Sequence, residues 1–367
     1  MGATDFIDRG LHSLAKRGKL AVIVPYSLLV KASEWHKGVL KNHTLKFIAT
    51  LPADLFNPYA SFNTAILVIE KGIPQGNSKA FVCRISNDGY KLKKNSRVPQ
   101  EGSQLDTILS LYDEKKEVPE ISCLAPITTS SSEWSPEAFI ENAPHSDESF
   151  LSGLELHLRK HASFYILHGH RIVGGMNLER SQPISSNIFS GLSSVDLSSV
   201  GFTVMQIEDY FTISLGGNAE IEDLDEGSLP IVSTSEFNNG VTTYKDSSVT
   251  YGPNIITVAT DGSTCSSFVQ EFKFYAFYKV AILSPRIEIP IDALYYISYL
   301  LFREKWRYVY ARKFGKKRLA STKVIVPANA ELKPDFAAMA EMVRSCKAYS
   351  AVSLFRATYL DNAQQAL

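Results

Sequence analysis

Apolar positions follow two rhythms that divide the chain. In the first hundred residues helical and strand patterns alternate. Phe6, Leu11, Leu14 and Ala15 recur at helical spacing up to Gly18, and residues 20–25 are then a continuous apolar run ended by Pro25, which predicts a buried strand after a helix. Ser27 can cap a second helix reaching about Leu40. Apolar runs at 45–51 and 64–69 predict further strands and 79–85 an edge strand. Strands with helices between them predict a mostly parallel sheet covered on both faces. Helices are expected over 103–117 and 150–170, beside serine-rich stretches at 128–148 and 181–199, with the main boundary between about 145 and 203. From Gly201 the pattern shortens. Runs at 211–215, 229–233, 241–244, 255–259 and 280–283, separated by Gly-Gly, Asn-Asn-Gly and Asp-Gly turns, predict a turn-dense β domain. An aromatic-rich helix over 292–312, a strand at 323–327 and one long amphipathic helix over 335–361 complete the pattern.

Charge changes this picture locally. The 367 residues carry 38 Lys+Arg against 38 Asp+Glu, a balance that excludes a protein coating nucleic acid indiscriminately. Between 303 and 323, however, nine basic residues stand against Glu304 alone, interleaved with Trp306, Tyr308, Tyr310 and Phe314. Zero is therefore a sum of opposites. A solvated helix face is the bland reading of such a cluster; phosphate contact is the one favoured by its position after a domain of short polar loops. Loops 233–240 and 260–266 offer side chains suited to base edges, since Asn pairs in bidentate fashion with adenine and Ser or Thr serves either groove pattern. The candidate DNA-binding residues are Asn238, Asn239, Lys245, Thr260, Ser263 and Ser266 with Arg307, Arg312, Lys313, Lys316, Lys317 and Arg318.

Other chemistry is weaker. His157 and His161 stand at i and i+4 without the glutamate of a His-Glu-x-x-His metal face, and solvated or capping histidines are expected. The acidic run 220–226 lacks the alternating ligands of a calcium loop and reads as solvated. Ser263 and Cys265 lack nucleophile-elbow spacing. Gly174-Gly175 and Gly216-Gly217 read as turns, because no strand, Gly-x-Gly turn and acid of a nucleotide-binding fold accompany them. No catalytic, cofactor-binding or metal residue is assigned. Four scattered cysteines, no signal-peptide pattern and no run near the ~18 apolar residues of a membrane span predict a soluble, cytoplasmic protein.

The order of segments is similar to a known family. Residues 14–25 (Leu-Ala-Lys-Arg-Gly-Lys-Leu-Ala-Val-Ile-Val-Pro), 51–60 (Leu-Pro-Ala-Asp-Leu-Phe-Asn-Pro-Tyr-Ala) and 63–71 (Asn-Thr-Ala-Ile-Leu-Val-Ile-Glu-Lys) resemble the later half of the catalytic domain of adenine-N6 DNA methyltransferases from restriction-modification systems, and 88–97 resembles the basic turn after it. From Gln206, residues 211–217, 230–233, 238–240, 256–263 and 324–327 resemble a target recognition domain of a type I specificity subunit or type IIG enzyme, and the closing helix its spacer helix. The resemblance implies a partial Rossmann-like α/β sheet over 1–100, a helical connector over 101–203, an α+β, β-rich target recognition domain over 204–330 and a long C-terminal helix over 331–367. The family's catalytic tetrapeptide and cofactor motif would lie upstream of Met1. Asn57-Pro58-Tyr59 lacks one proline of Asn-Pro-Pro-Tyr. The expectation is a specificity component that binds double-stranded DNA, holds no cofactor itself, and works with a methyltransferase half or a modification or restriction subunit; S-adenosylmethionine is implied for the complete enzyme. The alternatives are an adenine-N6 methyltransferase with an atypical site, and an interaction or antirestriction decoy.

Overall fold

The structure, a computed structural model, describes residues 2–57, 59–60, 62–94, 96–143, 148–172, 201–309 and 311–360. The serine-rich stretch 181–199, Pro58 and Tyr310 lie outside the described residues. The chain forms two compact units, Met1–Ala143 and Pro144–Leu367.

The first unit holds helices α1 (Ala3–Ser13), α2 (Ser27–Val30), α3 (Glu34–Asn42) and α4 (Leu105–Glu114) and strands β1 (Lys19–Pro25), β2 (His43–Thr50), β3 (Thr64–Lys71), β4 (Ala80–Arg84), β5 (Tyr90–Lys93), β6 (Ser96–Pro99) and β7 (Ser122–Ala125). Five strands make one sheet in the order β1-β3-β2-β4-β7, and β5-β6 form a separate ribbon. The main sheet is not mostly parallel as expected: β2 and β4 run parallel, while β1-β3, β3-β2 and β4-β7 are antiparallel. The chain returns from β2 to β3 through loop 51–63 without a crossover helix, and that connection makes neighbours antiparallel. Nor is β4 an edge. It lies between β2 and β7 with Ala80, Phe81, Val82 and Cys83 at most 1% exposed, and α4 packs Ile108 and Leu111 over Ala49, Phe81 and Cys83. The single helix expected after Ser27 is two, because Ser33 starts a new one by donating its backbone N–H to His36 Nδ1 at 3.0 Å.

The second unit begins with α5 (Glu148–Ile172) and contains β8 (Phe202–Gln206), α6 (Ile207–Tyr210), β9 (Phe211–Leu215), β10 (Glu226–Val232), β11 (Val241–Lys245), β12 (Ile255–Ala259), β13 (Ser267–Gln270), β14 (Tyr275–Ala276) and β15 (Val280–Pro285), followed by α7 (Ile291–Arg303), α8 (Lys316–Ala320), β16 (Lys323–Pro327), α9 (Phe336–Arg344) and α10 (Tyr349–Phe355). A four-stranded antiparallel sheet, β13-β12-β15-β9, lies beside a three-stranded one, β11-β10-β14, and a β16-β8 pair. Helix α7 is the centre of the unit, with ten of its residues buried against β12, β13, α5 and α9. Its approach to α5 is close: a Cβ on Gly153 would stand 1.8 Å from Tyr299 Oη, so only glycine fits there. The segment 101–203 expected as a connector is divided, since α4 and β7 belong to the first unit and α5 to the second.

The closing helix is broken. Ser345–Ala348 separates α9 from α10, and a last π-helical turn runs over Arg356–Leu360. Arg356 explains why that turn is held. Its guanidinium donates to Glu271 (2.7 and 3.0 Å) just after β13 and to Asp292 (2.6 Å) at the start of α7. Asp292 also accepts from Arg344 (2.7 Å) and Tyr349 (3.1 Å), and Glu271 from Tyr295. Burial alone would lower the Arg356 pKa, but Glu271 and its neighbours outweigh this and raise it.

His157 and His161 are not solvated or capping; α5 turns both into the core. His161 Nδ1 meets the His157 carbonyl at 3.1 Å and its Nε2 accepts the Val269 N–H at 3.1 Å, while His157 Nε2 meets Ser298 Oγ at 3.1 Å. Burial lowers the His161 imidazole to about 3 and also lowers His157. An unfolded histidine titrates near 6.5, so between about 3 and 6.5 the unfolded chain binds protons that the folded chain does not. Stability is therefore lost as pH falls through that window, by roughly 1 kcal/mol per pH unit for His161. In urea unfolding of the second unit at pH 7.5 and 5.5, His161→Gln is expected to lose about 1 kcal/mol less than the parent; equal losses would contradict a buried neutral His161.

Candidate nucleic-acid interface

Three loops at one end of the four-stranded sheet meet the basic segment. Loop 233–240 leaves β10 and is closed by Ser233 N–H donating to the Gly240 carbonyl (2.8 Å) and Gly240 N–H to the Phe237 carbonyl (2.9 Å). Asn238, Asn239 and Gly240 in succession take positive φ (51°, 53° and 78°). Asparagine and glycine are the residues that take such left-handed backbone most readily, and the surroundings hold the turn. Asn239 is 1% exposed and its carbonyl accepts from Gln270 Nε2 at 2.8 Å. Loop 260–266, between β12 and β13, touches the first loop through Ser263 N–H donating to the Thr234 carbonyl at 3.3 Å. The third loop, 277–279, accepts both the N–H (2.9 Å) and the hydroxyl (2.7 Å) of Thr260 at the Lys279 carbonyl.

Two carboxylates tie lysines onto this end. Asp261 binds Lys313 at 2.9 Å and Lys279 at 3.5 Å, and Glu236 binds Lys305 at 3.2 Å. The Lys313 ammonium, then the Gly262 N–H, holds the Asp261 carboxyl below its ordinary range. Lys279 is raised, first by the Tyr278 hydroxyl and then by Asp261. Beyond Phe314, which is fully buried, α8 carries Lys316, Lys317 and Arg318, and Arg318 Nη1 donates to the Lys313 carbonyl at 3.1 Å. The result is a cationic rim around polar loops. Its shape and charge suit a polyanion with readable edges, such as duplex nucleic acid.

The expected residues separate on this geometry. Asn238, Lys313, Lys316 and Lys317 are exposed on the loops and rim, and Ser263, Thr260 and Arg318 are half-buried there. Asn239, Ser266 and Arg312 are corrected to interior positions, at 1%, 2% and 4% exposure. Arg312 spans the bend after Tyr308, donating to the Arg307 carbonyl at 3.0 Å and stacking on the Tyr308 ring. Arg307 is held at 2.6 Å by the buried carboxylate of Glu304. Lys245 is also corrected. It pairs with Glu226 at 2.6 Å at the end of the β10-β11 ribbon remote from loop 233–240, about 13 Å along the strands from the turn. Two residues at this end were not among the expected ones. Phe237 is 70% exposed at the tip of its loop, and Lys279 lies between the rim and loop 260–266. A lone aromatic inside the polar run Ser-Glu-Phe-Asn-Asn was the available signal for the first; nothing local marks the second.

Elsewhere the candidate chemistry does not assemble. Tyr59 is 95% exposed, and the Asn57 N–H donates to the Asp54 carbonyl at 3.1 Å. Burial pushes the Cys265 thiol well up, away from nucleophilic use. Among the described residues there is no metal-binding group of His, Cys, Asp or Glu, and no helix is long and apolar enough to cross a membrane. In the first unit, β1 runs into Tyr26, whose side chain is buried with its hydroxyl on Glu137 at 2.8 Å. No glycine turn with an adjoining acid follows β1 at that junction.

The two units match two families. Residues 2–141 match the N-6 DNA methylase family, and residues 199–345 match the type I restriction-modification DNA specificity domain. The chain is thus similar to an N-6 DNA methylase over 2–141 and to a type I specificity domain over 199–345. Among curated relatives it is 23% identical over 164 residues to the specificity subunit S.BcgI of a type II restriction enzyme from Heyndrickxia coagulans, covering 44% of this chain and 47% of that one. It is 31% identical over 105 residues to the restriction enzyme and methyltransferase RM.BcgI of the same organism, covering 27% of this chain and 16% of that one. The chain therefore spans about half and about a sixth of these relatives. A type I specificity subunit structure from M. genitalium aligns over 96% of this chain and 93% of its own at 14% identity with a TM-score of 0.31.

The contact between loops 233–240 and 260–266 is sensitive at Gly262, whose φ is +62° and whose absent Cβ would lie 2.8 Å from Thr234 Oγ1. Gly262→Val is expected to destabilise the second unit by about 1–3 kcal/mol in thermal unfolding; an unchanged midpoint would show that the two loops are not locked together.

Proposed function

We propose that the chain is a DNA target recognition component of a restriction-modification methyltransferase. The second unit reads sequence with loops 233–240 and 260–266 and grips backbone phosphate with the rim from Lys305 to Arg318. The observation that carries this reading is the pair of carboxylate tethers, Asp261 to Lys313 and Lys279 and Glu236 to Lys305, which fix the basic segment against the loops. A merely solvated basic helix face has no need of such placement. The specificity-domain match over 199–345 and the S.BcgI relative support the same reading.

On this reading methyl transfer belongs to the complete assembly. The first unit is the later part of a methylase fold, S-adenosylmethionine is held by the remainder of that fold, and the partner is a methyltransferase or restriction subunit. The chain binds and places DNA; reaction steps take place outside its described residues.

Phosphate grip and base reading separate experimentally. Duplexes enriched from a random-sequence pool by the full chain supply the target, and an unrelated duplex the control. Alanine at Lys316, Lys317 and Arg318 together is expected to weaken binding to both and to lower the slope of log K against log salt by about 0.9 per lost phosphate contact. An unchanged slope removes α8 from the interface.

Asn238→Ala is expected to relax preference for the enriched duplex by roughly 1–3 kcal/mol at one base pair while leaving control binding intact. Equal loss on both duplexes would show that Asn238 does not read bases.

A further inference from the structure

The β5-β6 ribbon of the first unit stands apart from the main sheet. Its register runs Tyr90↔Pro99, Lys91↔Val98, Leu92↔Arg97 and Lys93↔Ser96, and among the described strands it pairs with no other. Every residue of β5 is exposed, including Tyr90 (49%) and Leu92 (41%), so this strand hides little apolar surface. An isolated two-stranded hairpin is marginally stable at best in water. This one is nevertheless clamped.

Arg97 is the clamp. Its guanidinium takes the Asp88 carboxylate in a two-pronged bond (2.8 and 2.7 Å), reaches Asp54 at 3.5 Å and donates to the Tyr90 carbonyl at 3.2 Å, with 14% of its side chain exposed. The Asp88 carboxyl is held below its ordinary range by that bond. At the root, Gln104 Oε1 accepts from the N–H groups of Ser86 (2.8 Å) and Asn87 (3.0 Å), and Gln100 N–H donates to the Gly89 carbonyl at 2.8 Å. The one arginine of the ribbon is thus spent on holding its shape. The lysines are left outward: Lys91, Lys93 and Lys94 are all exposed, and no described carboxylate forms an ion pair with any of them.

Strand geometry gives those charges a spacing. Lys91 and Lys93 share one face of β5 while Tyr90 and Leu92 take the other, and two strand residues advance about 6.7 Å. That equals about two steps of 3.4 Å along a DNA strand. A two-stranded ribbon is also one of the shapes that duplex DNA admits.

We infer that the β5-β6 ribbon is a second DNA contact, with Lys91, Lys93 and Lys94 gripping backbone phosphates independently of sequence. This rests on the reading of the chain as a binder of duplex DNA. It adds a site in the first unit, which that reading leaves without a role in binding. Phosphate is the target because lysine supplies point charge without base-reading geometry, and because the acceptors at the ribbon's root are already occupied.

The test uses the full chain with alanine at Lys91, Lys93 and Lys94, against the enriched and unrelated duplexes over a potassium chloride series. The expected result is a similar fall in affinity for both duplexes and a salt slope lower by about 2 to 3. Arginine at the same three positions is expected to retain both. An unchanged slope in the alanine variant, with the parent binding normally and the Lys316, Lys317 and Arg318 variant reduced, would overturn the ribbon contact and leave the recognition reading standing. Loss confined to the enriched duplex would overturn it too, by making the lysines readers. A parent chain without salt-dependent duplex binding would overturn both. Matching thermal unfolding of parent and variants separates lost charge from lost fold.

Discussion

One guanidinium determines how the second unit closes. Arg356 lies beyond α10, yet its donors end on Glu271, directly after β13, and on Asp292, in the first turn of α7. Glu271 and Asp292 are nearly inaccessible, and two buried carboxylates without a cation would be strongly unfavourable. Removing one partner from such an arrangement typically costs 3–5 kcal/mol, mainly because of the charge left behind. The C-terminal helices therefore supply the counter-charge to the sheet and to its central helix. Burial of Phe355, stacked on Tyr165 with ring centres 4.0 Å apart, fixes the same turn against α5.

That constraint reaches loops 233–240 and 260–266 through β13. The strand fixed by Glu271 at one end emerges from loop 260–266 at the other, and Gln270 within it holds the Asn239 carbonyl of loop 233–240. Both loops are thus set by one short strand with all four residues buried. The three consecutive positive-φ residues Asn238, Asn239 and Gly240 are held in one turn by this strand. A reading surface prepared in this way loses less conformational entropy on binding than a flexible one, which favours discrimination between sequences over simple attraction.

The sequence was most legible where local pattern and tertiary need agree. Strands 211–215, 255–259 and 323–327 coincide with β9, β12 and β16, since each is a β-branched run between turns. Ser267–Gln270 escaped notice because Ser and Gln at its ends look polar, although Gln270 is buried for its hydrogen bonds. Strand direction in the first unit was unreadable for a different reason: direction depends on where a connection returns, and loop 51–63 carries no pattern that says so. The long helix over 335–361 kept one apolar stripe through Cys346 although the chain bends at Ser345–Ala348; amphipathic spacing survives a break that leaves both pieces on the same surface. At the interface, charge was visible in the sequence but its partners were not. Arg307 and Arg312 count toward the basic cluster and yet serve the fold, because a buried Glu304 and a backbone carbonyl lie within their reach.

Part of the chain's charge balance is made at the rim itself. Asp261 and Glu236 each hold a lysine at the rim, so the surface presents cations at fixed positions and at moderated strength. Exposed ion pairs of this type contribute little to stability, about 0–1 kcal/mol, and exchange readily with a competing phosphate. Their placement matters more than their energy. A rim of free lysines would hold any duplex equally, whereas lysines that must leave a carboxylate make non-specific contact weaker and leave a larger share of the binding energy to the loops. The same logic distinguishes the unpaired lysines of the β5-β6 ribbon, where nothing moderates the charge. On the proposed reading, a general grip in one unit and a moderated, loop-bearing rim in the other would divide affinity from specificity within a single chain of zero net charge.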